Sequence, residues 1–501
     1  MKAEFGVYRK PEEANRQSPN ASPSDPVEIR SLGAPVRRAM ARTRQWLLDQ
    51  QRPDGSWCAE LEGDTILESE TILVLAYLGR EDTPLAHRAA AYLIEKQLRD
   101  GGWAMFPGGT LEISGSVKAY FALKLTGHDP GAEYMQRARQ AILAHGGADA
   151  VNSFTRFYLA LLGQISYDQC PAVPPELTLL PKWFPVNLYA MSSWSRTIVV
   201  PLSIVSAMEP VRAIDPRLGI RELFLREPKN WPRLRCPGLP GSTGALSWDH
   251  FFRGVNWLLK QAQRRGLMPC RGRAIAAAKD WMLRRFPQSD GLGAIYPPIV
   301  FSLVALKCLG LADDSPAVQY CFKQLDDLVI EDPRTGAARL QPCKSPVWDT
   351  AIALRAVAAA GTRPDRPAVR HAVDWLLARQ TTRPGDWSET VPAEPGGWYF
   401  EFANEFYPDV DDTAMVLMAL ETQFEDRRGL AGVTPPELDV LPKTETDDDG
   451  GRIDELRRSM AAIDRGLRWM LAMQNDDGGW GAFGVLPASV KNVSRLPRGG
   501  R

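Results

Sequence analysis

With 501 residues, 44% hydrophobic and 24% charged, the chain is long enough to bury cores for two or three domains. Lysine plus arginine equals aspartate plus glutamate, 60 against 60, so net charge gives no reason to expect a nucleic-acid partner. The seven cysteines (Cys58, Cys170, Cys236, Cys270, Cys308, Cys321, Cys343) are scattered and never form a C-x-x-C pair, which argues against a disulfide framework or a zinc knuckle and fits a reducing, cytosolic setting.

Residues 1–35 read as a polar arm with Pro and Ser and no apolar signal region, and no later stretch is long and apolar enough to span a bilayer. After the arm one phrase recurs: a helical stretch, Gln, a few residues, Gly, one residue, Trp. It occurs as "WLLDQQRPDGSW" (Gln51, Gly55, Trp57), "YLIEKQLRDGGW" (Gln97, Gly101, Trp103), "WLLARQTTRPGDW" (Gln380, Gly385, Trp387) and "RGLRWMLAMQNDDGGW" (Gln474, Gly478, Trp480), with a degraded copy near Trp281. Each copy is a helix stop followed by an aromatic anchor, with Gly as the left-handed C-terminal residue. Between the copies, "ESETILVLAYLG", "SVKAYFALKLTG", "VFSLVALKCLG" and "DTAIALRAVAAAG" give further helices that end at Gly. Strand signals are weak, so the spacing predicts an all-α ring of helical hairpins in which the Gln and Trp are scaffolding.

Further along, "WDHFFRGVNWLLKQAQRRG" places Phe251, Phe252, Val255, Leu258 and Leu259 on one helical face with Trp257 alongside; Arg264, Arg265, Arg271 and Arg273 follow. The pattern alone is that of an interfacial anchor or of an amphipathic core helix. At "YPDVDDTAMVLMAL", Asp409, Asp411 and Asp412 crowd the start of an apolar helix. The helix dipole favours anionic carboxylates there, while mutual repulsion and burial favour keeping a proton on one of them. Read by itself, the cluster is a helix cap, a divalent-cation site or a general acid. "ETDDDGGR" (Glu445 to Arg452) reads as a solvated insertion loop.

Taken together, D-V-D-D-T-A, "SPVWDTA", "PGGWYFEFANEFYPDVDD" and the Gln/Trp repeats resemble the squalene-hopene cyclases, the bacterial class II triterpene cyclases, from about residue 36 to Phe483. The resemblance implies two α/α barrels. A smaller one, 59–343, carries the membrane-contact helix, and 36–58 plus 344–483 form a partial catalytic barrel. It implies proton-initiated cyclisation of squalene to hopene-type pentacycles, with Asp411 protonating the terminal alkene and Asp409 and Asp412 orienting it and sustaining its acidity. Phe400, Trp348, Trp194 and Phe483 match positions that line the cavity and stabilise carbocations, which aromatic faces do without trapping them. No metal or organic cofactor is implied. The implied partners are squalene and the cytoplasmic face of a membrane, contacted from one side through Phe251, Phe252, Val255, Trp257, Leu258 and Leu259, with a homodimer among the assemblies allowed.

After "GGWGAF" the match stops, and residues 484–501 form a basic tail with no acidic residue. The expectation is a shifted frame, a premature stop or a fragmentary gene model. The family's histidine partner of the catalytic aspartate has no counterpart, since none of the five histidines (His87, His128, His145, His250, His371) follows the aspartates. An incomplete ring would expose apolar helix faces and lower solubility. Two alternatives accompany the leading reading: a non-catalytic isoprenoid-binding protein, and a class II cyclase acting on another polyprenyl substrate.

Overall fold

The computed structural model describes residues 33–184, 186–234, 248–425 and 447–481. In chain order the helices are α1 (Ala34–Asp49), α2 (Ile66–Tyr77), α3 (Pro84–Glu95), α4 (Ile113–Leu125), α5 (Glu133–Ala144), α6 (Ser153–Leu161), α7 (Ser193–Met208), α8 (Trp248–Arg264), α9 (Arg271–Leu283), α10 (Tyr296–Cys308), α11 (Pro316–Asp326), α12 (Pro346–Ala359), α13 (Pro367–Leu377), α14 (Val410–Glu425) and α15 (Asp447–Ala472). Among the described residues the sheet content is one antiparallel pair, β1 (Val329–Glu331) with β2 (Ala338–Leu340). The fold is all-α. One expectation is corrected: "ETDDDGGR" is not simply a loop, because its residues from Asp447 onward begin α15, where a helix N-terminus favours acidic residues.

The helices fall into two layers. In α4 every residue from Ser114 to Leu125 is buried, and α2 and α10 are buried almost all round, so these inner helices carry no polar stripe. Outer helices bury one face only: α5 does so through Met135, Ala138, Ala141 and Ile142, and α11 through Val318, Cys321 and Gln324. That difference is what an α/α toroid requires, with an inner ring enclosed by an outer one.

The repeats act as rivets between successive hairpins. Gln51 Nε2 donates to the carbonyls of Gly55 and Ala368, both at 2.8 Å; Gln97 Nε2 does the same to Gly101 and Tyr134, both at 2.9 Å. Each glycine lies where a Cβ would strike the next hairpin's backbone, 2.5 Å from the Arg137 carbonyl oxygen at Gly101 and 2.6 Å from that of His371 at Gly55. The third repeat departs from its sequence reading. Gln380 Nε2 bonds the carbonyls of Gly396 and Ala462, and Trp398, not Trp387, donates its indole N–H to the end of the preceding helix at Leu376. Gly385 is not left-handed, at φ −104°. The stretch between Gln380 and Gly396 loops out, so the nearest Gly-x-Trp in sequence is not the one that closes the turn. The fourth rivet differs again: Gln474 donates to Gly478 O, and Trp480 is 40% exposed where Trp103 and Trp398 are at 1% and 0%.

The largest apolar cluster draws on residues from Leu67 to Leu340, and a second on Trp57 with residues from Val347 to Ala462. The two regions are joined by hydrogen bonds, including Asp290 N to Ala403 O at 2.8 Å, and by Asp386, whose buried carboxylate pairs with Arg285 and lies 3.5 Å from Arg196. The junction places Arg196 of α7, and Ser289 and Asp290 ahead of α10, near the stretch that leads into α14.

Candidate functional site

Local sequence explains the start of α14. Asp409 is its N-cap: Oδ1 accepts the backbone N–H of Asp412 at 2.7 Å, and the Asp409 carbonyl accepts the Thr413 hydroxyl at 2.6 Å. Asp409 N donates to Trp398 O at 2.9 Å, and Thr413 Oγ1 accepts Trp398 N at 2.9 Å, so the third repeat's tryptophan clamps the helix start in place.

The three carboxyls then divide. Asp409 and Asp412 are 3% and 2% exposed, whereas Asp411 faces outward and is exposed. Burial pushes both enclosed carboxyls up. Asp409 is drawn back by hydrogen bonds from the Asp412 side chain and from the amides of Asp412 and Asp411. Asp412 is driven further up by the charge and hydrogen bond of Asp409, then by Glu401 and Asp411. The pair therefore holds one proton, on Asp412, with Asp409 as the capping anion. Asp412 Oδ1 is buried without a hydrogen-bond partner.

Trp348 and Phe400 come together, with ring centroids 6.4 Å apart and planes at 42°; Val347 N donates to Phe400 O at 3.2 Å. Both rings are half-buried, and α12, which carries Trp348, packs on α14. Trp194 is 40% exposed at the start of α7, which packs on α9 and α10 rather than in the α12–α14 pair. Phe483 lies outside the described residues. A residue missed from sequence is Glu401: fully buried, with a carboxyl pushed well up by burial and by the neighbouring Asp409, it accepts Asn404 Nδ2 at 3.0 Å. Its signal was an acidic residue amid the aromatics of "WYFEFANEF".

The helix α8 is attached by its polar side. Asn256 Oδ1 accepts Ala172 N at 2.8 Å, Lys260 Nζ donates to the carbonyls of Tyr167 and Asp168 at 3.1 and 2.6 Å, and Arg264 pairs with Asp168. Phe251, Trp257 and Leu258 are 56, 62 and 61% exposed; Phe252 and Val255 are also exposed, while Leu259 is half-buried. Among the described residues, then, it is the polar side of α8 that bonds the protein, while most of its apolar residues keep substantial exposure. No described helix is long and apolar enough to cross a membrane.

Residues 40–334 match the squalene-hopene cyclase N-terminal domain, and 344–432 match the C-terminal domain. The chain belongs to the squalene-hopene cyclase family. It is 36% identical over 461 residues to a squalene–hopene cyclase of Zymomonas mobilis, covering 90% of this chain and 65% of that protein. It is 37% identical over 457 residues to one of Bradyrhizobium diazoefficiens, covering 90% and 64%. A dammaradiene synthase of Dryopteris crassirhizoma is 34% identical over 446 residues, covering 89% and 60%. The chain therefore spans a little under two thirds of the length of these curated relatives.

Proposed function

We propose that this chain carries the acid site of a squalene cyclase that forms hopene-type pentacycles. The observation that supports it best is the division of the three aspartates. Asp411 protonates the terminal alkene; Asp409 is held as an anion by the helix N-terminus, and Asp412 stays neutral beneath. With Asp412 protonated, the enclosed pair beside Asp411 carries one negative charge rather than two. Trp348 and Phe400 offer π faces to the developing cations, which no nearby anion could stabilise without capture. We read 59–343 as the smaller barrel, and 36–58 with 344–483 as the part of the catalytic barrel present here. The outward apolar face of α8 is the membrane contact through which an insoluble polyene is collected.

A second reading, isoprenoid binding without turnover, is favoured by the exposure of Asp411, since solvent at the acid would quench a cation before rings close. The test is product analysis by mass spectrometry after incubating the purified 501-residue chain in detergent with squalene. Pentacyclic product that falls by about 10²- to 10⁴-fold in Asp411→Asn is expected. Bound but unchanged squalene would favour the second reading.

A further inference from the structure

A cavity of about 970 Å³ lies between α8 and the body of the protein, with cations on part of its wall and apolar side chains on the rest. Arg156 comes from α6, Lys229 and Arg233 from the stretch before α8, and Arg253, Lys260 and Arg264 from α8 itself. Asp168 is the one acidic residue in the described lining. Its carboxylate is engaged by Arg264, and Arg253 is matched by Asp249 at 3.3 Å. The other cations have no such match. Lys260 gives its protons to main-chain carbonyls, and among the described residues no ion pair reaches Lys229 or Arg233, both exposed.

Arg156 is the buried one, at 3% exposure. Its guanidinium donates to the carbonyls of Gln169 at 3.2 Å and Pro232 at 2.9 Å, while its Nε is buried without a partner. The Trp231 ring, 5.5 Å away, offsets part of the cost of burying that charge. Asp149 acts on Arg156 from beyond ion-pair distance; it accepts Leu225 N and is not part of the cavity lining. A buried guanidinium with no anion beside it is costly, and a ligand that brings one removes the cost.

The apolar part of the wall sets the rest of the ligand. Phe252, Val255, Trp257 and Leu259 line it from α8, and the first three are exposed. A small free anion would leave those side chains in water, and a neutral polyene would leave the cations unmatched. An amphiphile with a phosphate at one end satisfies both demands, because arginine and lysine suit phosphate oxygens and the α8 face suits hydrocarbon chains.

We propose that this cavity is a headgroup site for an anionic phospholipid of the bilayer on which α8 rests, with the phosphate at Arg156, Lys229 and Arg233 and the acyl chains along Phe252, Val255 and Trp257. The inference rests on the membrane-contact reading above and narrows it from an apolar surface to a lipid of one charge class. An apolar helix face holds a bilayer without regard to charge; a built anion site adds strength and selectivity.

The test is vesicle flotation of the full 501-residue chain, diluted out of detergent, at about 0.15 M salt. Vesicles of phosphatidylcholine alone are compared with vesicles that carry roughly one third phosphatidylglycerol. The anionic vesicles should be bound about tenfold more tightly. Lys229→Met/Arg233→Met should remove most of that preference. Arg265→Met/Arg273→Met, which deletes the same charge from exposed positions outside the cavity lining, should leave it within about threefold. Equal binding of the two vesicles by the wild type overturns the proposal and leaves the membrane contact standing; binding of neither overturns both. An equal loss in the two double variants means diffuse attraction rather than a headgroup site and also overturns it. So does release from anionic vesicles by glycerol 3-phosphate, measured against sodium chloride of equal ionic strength, since the site would then take a free phosphate.

Discussion

Two adjacent helices begin with nearly the same phrase and put it to different use. Aligned on their threonines, α12 reads Trp348-Asp349-Thr350-Ala351 and α14 reads Asp411-Asp412-Thr413-Ala414. The threonines do the same work: Thr350 Oγ1 accepts Trp57 N and Thr413 Oγ1 accepts Trp398 N, both at 2.9 Å, tying each helix start to a repeat tryptophan. The aspartates diverge. Burial raises the Asp349 carboxyl, but the N–H of Ala59 at 2.8 Å and the hydroxyl of Ser345 at 3.0 Å, both donating to it, draw it back down. Asp412 has Asp409 and Glu401 for neighbours and keeps its proton. One position further back, α12 offers an indole where α14 offers the exposed Asp411. An identical local phrase thus yields a structural carboxylate in one place and a stored proton in the other, and the difference lies in what the surrounding chain presents to it.

The largest expected effect breaks the comparison on activity. Asp412→Asn should lower squalene cyclisation by about 10²-fold or more, whereas Asp349→Asn should leave it within about threefold, because only the first removes the proton held beneath Asp411. Product assays on both variants decide it. The pH dependence of stability comes next. Since burial raises the folded-state pKa of Asp412 above its unfolded value, its contribution is complete below about pH 4 and is lost as pH rises toward the folded pKa. Wild type should therefore lose up to about 1.4 kcal/mol per pH unit from this group between pH 5 and 8, with Glu68 and Glu401 acting in the same sense. Asp412→Asn should flatten that slope in urea titrations, and Asp349→Asn should flatten it less. Where the helices are alike, the costs should match: Thr350→Val and Thr413→Val each leave a buried tryptophan amide unpaired, for about 1–3 kcal/mol apiece by denaturation. The smallest effect is Asp349→Ala, about 1 kcal/mol, the ordinary loss of a carboxylate that holds a helix start.

Much of this was readable from the residues. Apolar helices ending at glycine announced an all-α ring, and the run of aspartates ahead of "TAMVLMAL" marked a helix start crowded with carboxyls, because both signals are local. What was not legible depends on contacts between distant segments. Trp398 displaced Trp387 as the third repeat's anchor because the partner helix bearing Ala462 lies far along the chain. Which aspartate is enclosed could not be read from D-V-D-D, since burial is set by the neighbouring loop that supplies Glu401. The Lys118–Glu70 pair joins α4 and α2, both buried almost all round, and neither residue's local sequence names its partner on the other helix. The amphipathic pattern of α8 was clear, yet only the hydrogen bonds of Asn256 and Lys260 show which face meets the protein.

The central claim is that the crowded carboxyls keep one proton on Asp412 at neutral pH, and infrared difference spectroscopy tests it directly. The spectrum of wild type minus Asp412→Asn at pH 7 should contain the C=O stretch of a protonated carboxylic acid. If the only bands lost with the substitution are those of an ionised carboxylate, the account of the site is contradicted.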